Sequence, residues 1–147
     1  MLQKINELIS EMDMYVLATS RQDRPYCSLM AYGCGRNGKD IYMVTGRGTK
    51  KFSNIMDNPY VSLMIDTRER HGREARSETL ALTVEGRCRR VEDADERTEA
   101  LEELTRRHPN IRSLAESADA EVICVEISSY LLLEGLDRAF FEEIEGK

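Results

Sequence analysis

The chain has no tryptophan, only two histidines, and no apolar run approaching the ~20 residues needed to span a bilayer. A membrane-spanning helix is therefore not expected. The histidines, His71 and His108, are far apart and lack ligand-like spacing, so a dedicated metal site is not expected either. No G-x-S-x-G turn presents a nucleophile, which leaves a Ser-His-Asp hydrolase unsupported. The four cysteines, Cys27, Cys34, Cys88 and Cys124, form no CxxC pair. Each falls in an apolar, strand-like segment and reads as a buried, reduced thiol. Residues 1–13 contain acids and no small-residue cleavage site, so no secretory signal is read there and a cytoplasmic protein is expected. Basic residues are the minority: 21 Lys+Arg face 27 Asp+Glu, a formal net charge of −6. That balance argues against a nucleic-acid partner, which would need a basic surface.

What is present is a globular composition, 41% hydrophobic and 33% charged, on a length of 147 residues that suits one domain over 1–147. Leu2, Ile5, Leu8, Ile9 and Met12 recur at helical spacing and predict a short amphipathic helix. Met14 to Thr19 reads as a buried strand, with a polar turn over 20–24 and a second strand from Pro25 through residue 34. Gly35-Arg36-Asn37-Gly38 supplies a hairpin turn into a third strand over 40–45, which implies an antiparallel meander. Tyr60 to Thr67 alternates and predicts a fourth strand; Thr79 to Val91 predicts a fifth, with Gly86 at a bulge or bend. Asp93-Ala-Asp-Glu96 looks like a capping box opening a helix to about Arg107, stopped by His108-Pro109. Val122–Ile127 and Tyr130–Leu133 read as two further strands. Asp137 is expected to cap a terminal helix burying Phe140, Phe141 and Ile144, with the acids of 142–145 on its solvated face. The fold class is mainly β with peripheral helices: six or seven antiparallel strands closed into a barrel.

The segment with chemistry in it is Val44-Thr45-Gly46-Arg47-Gly48-Thr49-Lys50-Lys51. A strand feeds a glycine loop, and Thr49 is placed to cap a helix running to about Asp57. Lys50 and Lys51 then fall in that helix's first turn, where the macrodipole is already positive. Two cations there are unfavourable without an anion, and the unpaired helix N–H groups suit a phosphate. Thr45 and Thr49 add hydroxyls at the same end. The competing reading is a surface turn with two solvated lysines, and the loop alone does not choose between them.

The pieces 14–19, 24–26, 41–45, 49–51, 54–55 and 58–63, in that order and spacing, resemble the pyridoxamine 5′-phosphate oxidase-like superfamily of flavin-binding split barrels. The resemblance covers roughly 10–91. It implies a split-barrel homodimer binding FMN between subunits, with Lys50 and Lys51 as the basic pair on the phosphate. It also implies that Val44 and Thr45 meet the phosphate and ribityl chain, and that Ser28, Leu29, Met30 and Ala31 line the isoalloxazine edge through backbone groups. Arg47 and Thr49 join the set by proximity to the phosphate.

The oxidase's basic residues flanking the second strand are Ser28 and Gly33 here, a flavin-contacting glutamine is replaced near Ala81, and its C-terminal Trp- and Arg-containing substrate segment has no counterpart. The implied function is an FMN-dependent oxidoreductase acting on a small molecule, other than the oxidase proper. The alternatives are a flavin-binding electron-transfer module without its own substrate, or a deazaflavin- or haem-binding relative. His71, in the arginine-rich segment 68–76, is the one candidate proton donor, and that segment otherwise reads as a solvated connector. Tyr26, Tyr32 and Tyr42 read as barrel or dimer-interface packing, with stacking of one on a flavin ring as the alternative; Met43, Met56 and Met64 read as core fillers, and Arg87 to Arg90 as a second small basic patch or a charged exposed strand edge.

Overall fold

The computed structural model describes residues 1–144. The order is α1 (Leu2–Glu11), β1 (Met14–Arg21), β2 (Arg24–Ala31), β3 (Gly33–Cys34), β4 (Asp40–Gly46), α2 (Lys50–Asp57), β5 (Tyr60–Asp66), β6 (Leu80–Arg90), α3 (Ala94–Arg107), α4 (Arg112–Ala115), β7 (Ala120–Glu134) and β8 (Arg138–Glu143). One eight-stranded sheet runs β2-β1-β5-β6-β7-β4-β3, with β8 on the free half of β7. It is a curled, antiparallel half-barrel with peripheral helices, a split β-barrel.

The meander holds only pairwise. The second strand breaks at Tyr32: residues 24–31 pair with β1 at one end of the sheet, while Gly33 and Cys34 pair with β4 at the other. This chain crossing draws the two edges together and leaves the barrel split on either side. The β1–β2 hairpin turns through Gln22 and Asp23, both at positive φ, as a two-residue connection between right-twisted strands requires. Tyr15 and Tyr32 stack at 5.1 Å inside the barrel, and the Tyr32 hydroxyl donates to the Ile9 carbonyl at 2.6 Å, seating α1 on the barrel end. Ile5, Leu8 and Ile9 are its buried face.

The C-terminal third departs from the sequence expectation. β7 is one strand, not two: Ser128 is the extra residue of a bulge opposite Glu85 and Gly86, and its hydroxyl donates to the Glu85 carbonyl at 3.0 Å. The expected terminal helix is a strand. Gly135, at φ +66°, turns the chain, and β8 pairs Arg138–Glu143 with Glu134–Ser129. The half of β7 beyond β4 thereby gains a second neighbour. Phe141 consequently lies 58% exposed, while Phe140 and Ile144 pack against the core. The acidic residues 142–143 sit on this strand; Glu145 lies outside the described residues.

Three smaller expectations also fail. Cys27 is exposed on β2, although Cys88 and Cys124 are buried as expected. Met56 and Met64 are outward-facing, and only Met43 fills the core. Glu96 does not close a reciprocal capping box. Asp93 caps α3 by accepting from the Glu96 N–H, but the Glu96 carboxylate turns to the sheet, accepting two hydrogen bonds from Arg89 and one from the Tyr42 hydroxyl. These bonds, Arg89 first, hold the Glu96 carboxyl below its ordinary range. They dock α3 over a second apolar cluster that includes Val44, Ala100, Leu104 and Cys124.

Candidate functional site

The loop and helix form as the residues dictate. β4 runs to Gly46, the chain turns, and Thr49 caps α2, its hydroxyl accepting from the Phe52 N–H at 3.3 Å. The same hydroxyl lies 2.9 Å from the Gly46 carbonyl oxygen and 3.0 Å from the Thr45 hydroxyl, which ties the strand end to the helix start. Thr45 and Val44 are both buried, Thr45 with its hydroxyl on that of Thr49 and Val44 in the apolar cluster under α3. The Lys50 and Lys51 N–H groups open α2 with no intrahelical acceptor, while that of Phe52 is met by the Thr49 cap. Neither lysine has a carboxylate partner among the described residues. Two uncompensated cations at a positive helix end are the arrangement an anion would stabilise.

Arg47 is differently engaged. Its Nε donates to Glu121 at 3.0 Å, and Arg90 donates to the same carboxylate through Nη2 at 2.8 Å. Glu121 is 7% exposed. Burial acts to raise its carboxyl, but the hydrogen bonds from Arg47 and Arg90 outweigh it and hold the group below the ordinary carboxylate range. The Arg90 guanidinium also lies 5.9 Å from the Phe52 ring centre, against α2. The sequence reading missed Glu121 and placed Arg90 in a separate basic patch or strand edge, apart from the Arg47 loop. The available signal was the single acid in the apolar run 120–125.

The other half of the site comes from β2. Ser28 and Ala31 are half-buried, Leu29 is 68% exposed and Met30 is buried. β2 pairs with β1 alone, so the backbone groups on its outer edge bear no strand. Two residues before Ser28, the Tyr26 ring receives the Lys50 Nζ at 4.7 Å from its centre. The fold thus brings the α2 lysines and the open edge of β2 to one rim. The rim is open: a Cβ added at Gly48 would meet nothing within 4 Å.

His71 is not brought to that rim within one chain. It lies in the β5–β6 connector, which carries a 3-10 turn over Arg73–Glu78, with Nδ1 3.7 Å from Glu78. β6 leaves this connector at Leu80 opposite Glu134, whereas Gly46 faces Ala120 at the far end of β7. The connector is also tethered rather than free, through Arg70 to Glu11 at 3.2 Å and Arg68 to Asp66 at 3.2 Å. His108 is occupied structurally, its Nε2 3.0 Å from the Tyr32 carbonyl. One cluster of ligand-type groups, Asp40, Glu96 and Cys124, has atoms within 4.8 Å of one another, but Glu96 is committed to Arg89 and Tyr42.

The fold is that of a split-barrel protein, with two lysines at a helix N-terminus on its rim. The chain belongs to the pyridoxamine 5′-phosphate oxidase family, whose model matches residues 1–133. No curated protein sequence matches it. Among solved structures it is similar to a haem-binding protein from Mycobacterium smegmatis, with 15% identity and a TM-score of 0.82 over 94% of this chain and 55% of that one. The chain thus spans little more than half of that relative's length. It is also similar to HutZ, the haem storage protein of Vibrio cholerae, with 20% identity and a TM-score of 0.73 over 86% of this chain and 89% of that one. A third is General Stress Protein 26 of Bacillus anthracis, with 21% identity and a TM-score of 0.72 over 97% of both chains. At these identities the likeness is one of fold. No helix among the described residues is long and apolar enough to cross a membrane.

Proposed function

We propose that the protein binds FMN at this rim and works as a flavin-dependent oxidoreductase on a small molecule. The observation that supports it is the pair of lysines without carboxylate partners in the first turn of α2, beside the open edge of β2. In this reading Lys50, Lys51 and the Thr49 end of the loop hold the phosphate, and the Val44–Thr45 and Ser28–Ala31 backbones meet the ribityl chain and ring edge. Arg47 acts through Glu121 as a wall of the site. Bound FMN supplies hydride or single-electron transfer, and the chain's residues bind, orient and shield it. Titration of the purified protein with FMN should quench flavin fluorescence and saturate at one FMN per chain; no uptake overturns the reading. The second reading is haem, favoured by the two similar structures that are haem proteins. A Soret band on adding haem, with no flavin uptake, would support it instead.

An open rim calls for a second copy of the chain, because small-molecule sites usually enclose most of their ligand. One outer row of the sheet fits this role. Leu29, Val16, Met64, Thr83, Leu131 and Phe141 are cross-strand neighbours in turn across β2, β1, β5, β6, β7 and β8. Leu29, Met64, Leu131 and Phe141 are each 41–68% exposed. A largely apolar exposed row of this kind, interrupted at Thr83, suits an interaction face, and in this reading the homodimer forms across it. Met64→Glu, at the middle of the row, should convert a dimer to a monomer in sedimentation velocity and lower FMN uptake with it. A dimer unchanged by M64E would place the interface elsewhere.

A further inference from the structure

We propose that Tyr26 is a positioning residue that holds the Lys50 ammonium at the mouth of the α2 anion site. The proposal rests on the phosphate reading above and assigns a role to a side chain outside the phosphate-binding set. An exposed lysine samples many rotamers, and ordering it is part of the cost of every contact it makes. In this structure the Lys50 Nζ rests 4.7 Å from the Tyr26 ring centre, well inside the range of cation–π attraction. A ring face occupies one side of the ammonium and leaves N–H donors turned outward for an anion.

The strand that carries the ring is also tied to the helix that carries Lys50. Asn54, four residues further along α2 and so on the same helix face, donates from Nδ2 to the Thr19 hydroxyl at 3.1 Å. Thr19 on β1 in turn reaches the Tyr26 carbonyl, at a long 3.5 Å. Asn54 and Thr19 are 3% and 2% exposed, so these polar groups are satisfied within the protein. The helix thus meets the β1–β2 hairpin at two heights, through Lys50 on the Tyr26 ring and through Asn54 on Thr19, which reaches the Tyr26 backbone. Lys51 has no ring beneath it among the described residues. The two lysines therefore differ: Lys50 is placed before a ligand arrives, and Lys51 must be ordered by it.

The test compares Tyr26→Leu and Tyr26→Phe, each titrated with FMN and with riboflavin, which lacks the phosphate. Y26L should weaken FMN binding about two- to fivefold and leave riboflavin binding unchanged, the size expected of an exposed cation–π contact. Y26F keeps the ring face and should bind FMN like the parent. In a Lys50→Ala background Y26L should have no further effect on FMN. Equal weakening of FMN and riboflavin, a Y26F as poor as Y26L, or an undiminished Y26L effect in the K50A background would each overturn the proposal. A readout without cofactor stands beside these: the Lys50 side-chain protons should show an upfield ring-current shift by NMR, retained in Y26F and lost in Y26L. Failure of the parent protein to take up FMN overturns the flavin reading, whereas the ring-current shift decides the Tyr26–Lys50 contact by itself.

Discussion

Replacing Lys50 and Lys51 together by alanine should weaken FMN binding by about a hundredfold or more while leaving the stability of the empty protein almost unchanged. Each charge-assisted contact to a phosphate contributes roughly 1.5–3 kcal/mol net. Lys50 is solvent-exposed, so the lower end applies, and the pair together should contribute about 3 kcal/mol. In the empty protein the same two cations stand at the positive end of α2 with no carboxylate partner, an arrangement that costs about 0.3–1 kcal/mol for each charge. Removing them relieves that cost, which offsets the lost Lys50 contact with the Tyr26 ring, and leaves the buried face of the helix, Phe52, Asn54 and Ile55, untouched. FMN and riboflavin titrations with thermal unfolding of the empty protein check all three parts. FMN affinity should fall, riboflavin affinity should hold, and the melting temperature should not drop. An unchanged FMN affinity would place the phosphate elsewhere. A large loss of stability would show that the lysines are structural and that the anion reading of the helix end is wrong.

Much of the rim was legible because its signals are local. Thr49 as cap, Asn58-Pro59 as stop and the alternation from Tyr60 each act within a few residues, and α2 and β5 formed where those signals stand. What was not legible depends on partners distant in sequence. Ser128-Ser129 looks like the break between two strands, but β6 absorbs the extra residue as a bulge, and the Glu85 carbonyl that accepts from Ser128 lies 43 residues away. Asp137 followed by Phe140, Phe141 and Ile144 fits a helical stripe as well as a strand, and the open side of β7 decides for the strand. Glu121 is a lone acid in an apolar run, and only the fold shows that Arg47 and Arg90 converge on it. The same limit applies to Tyr26. Its neighbours in sequence mark a strand start, but its role comes from a lysine 24 residues later that meets it only once α2 lies across β1.

The largest effect on the fold itself is expected at Gly86. A Cβ built there would lie 2.6 Å from the Glu126 carbonyl oxygen, 2.8 Å from Val125 Cγ1 and 3.3 Å from the Glu126 carbonyl carbon. Two of these atoms belong to the backbone of β7, which cannot yield by rotating a side chain. β7 is also the strand that pairs with β4, β6 and β8, so pushing β6 away at this point disturbs three ladders. Strand propensity alone would favour Gly86→Val, since valine is among the better strand formers and glycine among the poorer. The close approach outweighs that gain of at most about 1 kcal/mol, because overpacking costs about 1–3 kcal/mol even where side chains can adjust. G86V should therefore lose about 3 kcal/mol and melt roughly 10 °C lower, at the 2–4 °C per kcal/mol typical of larger single domains. Gly72→Ala is the control: a Cβ there meets nothing within 4 Å, and its backbone is not left-handed. It should leave stability within about 0.5 kcal/mol. Thermal and urea unfolding of both variants measure the difference. A G86V protein as stable as its parent would mean that β6 and β7 do not meet as closely at the bulge as the structure places them.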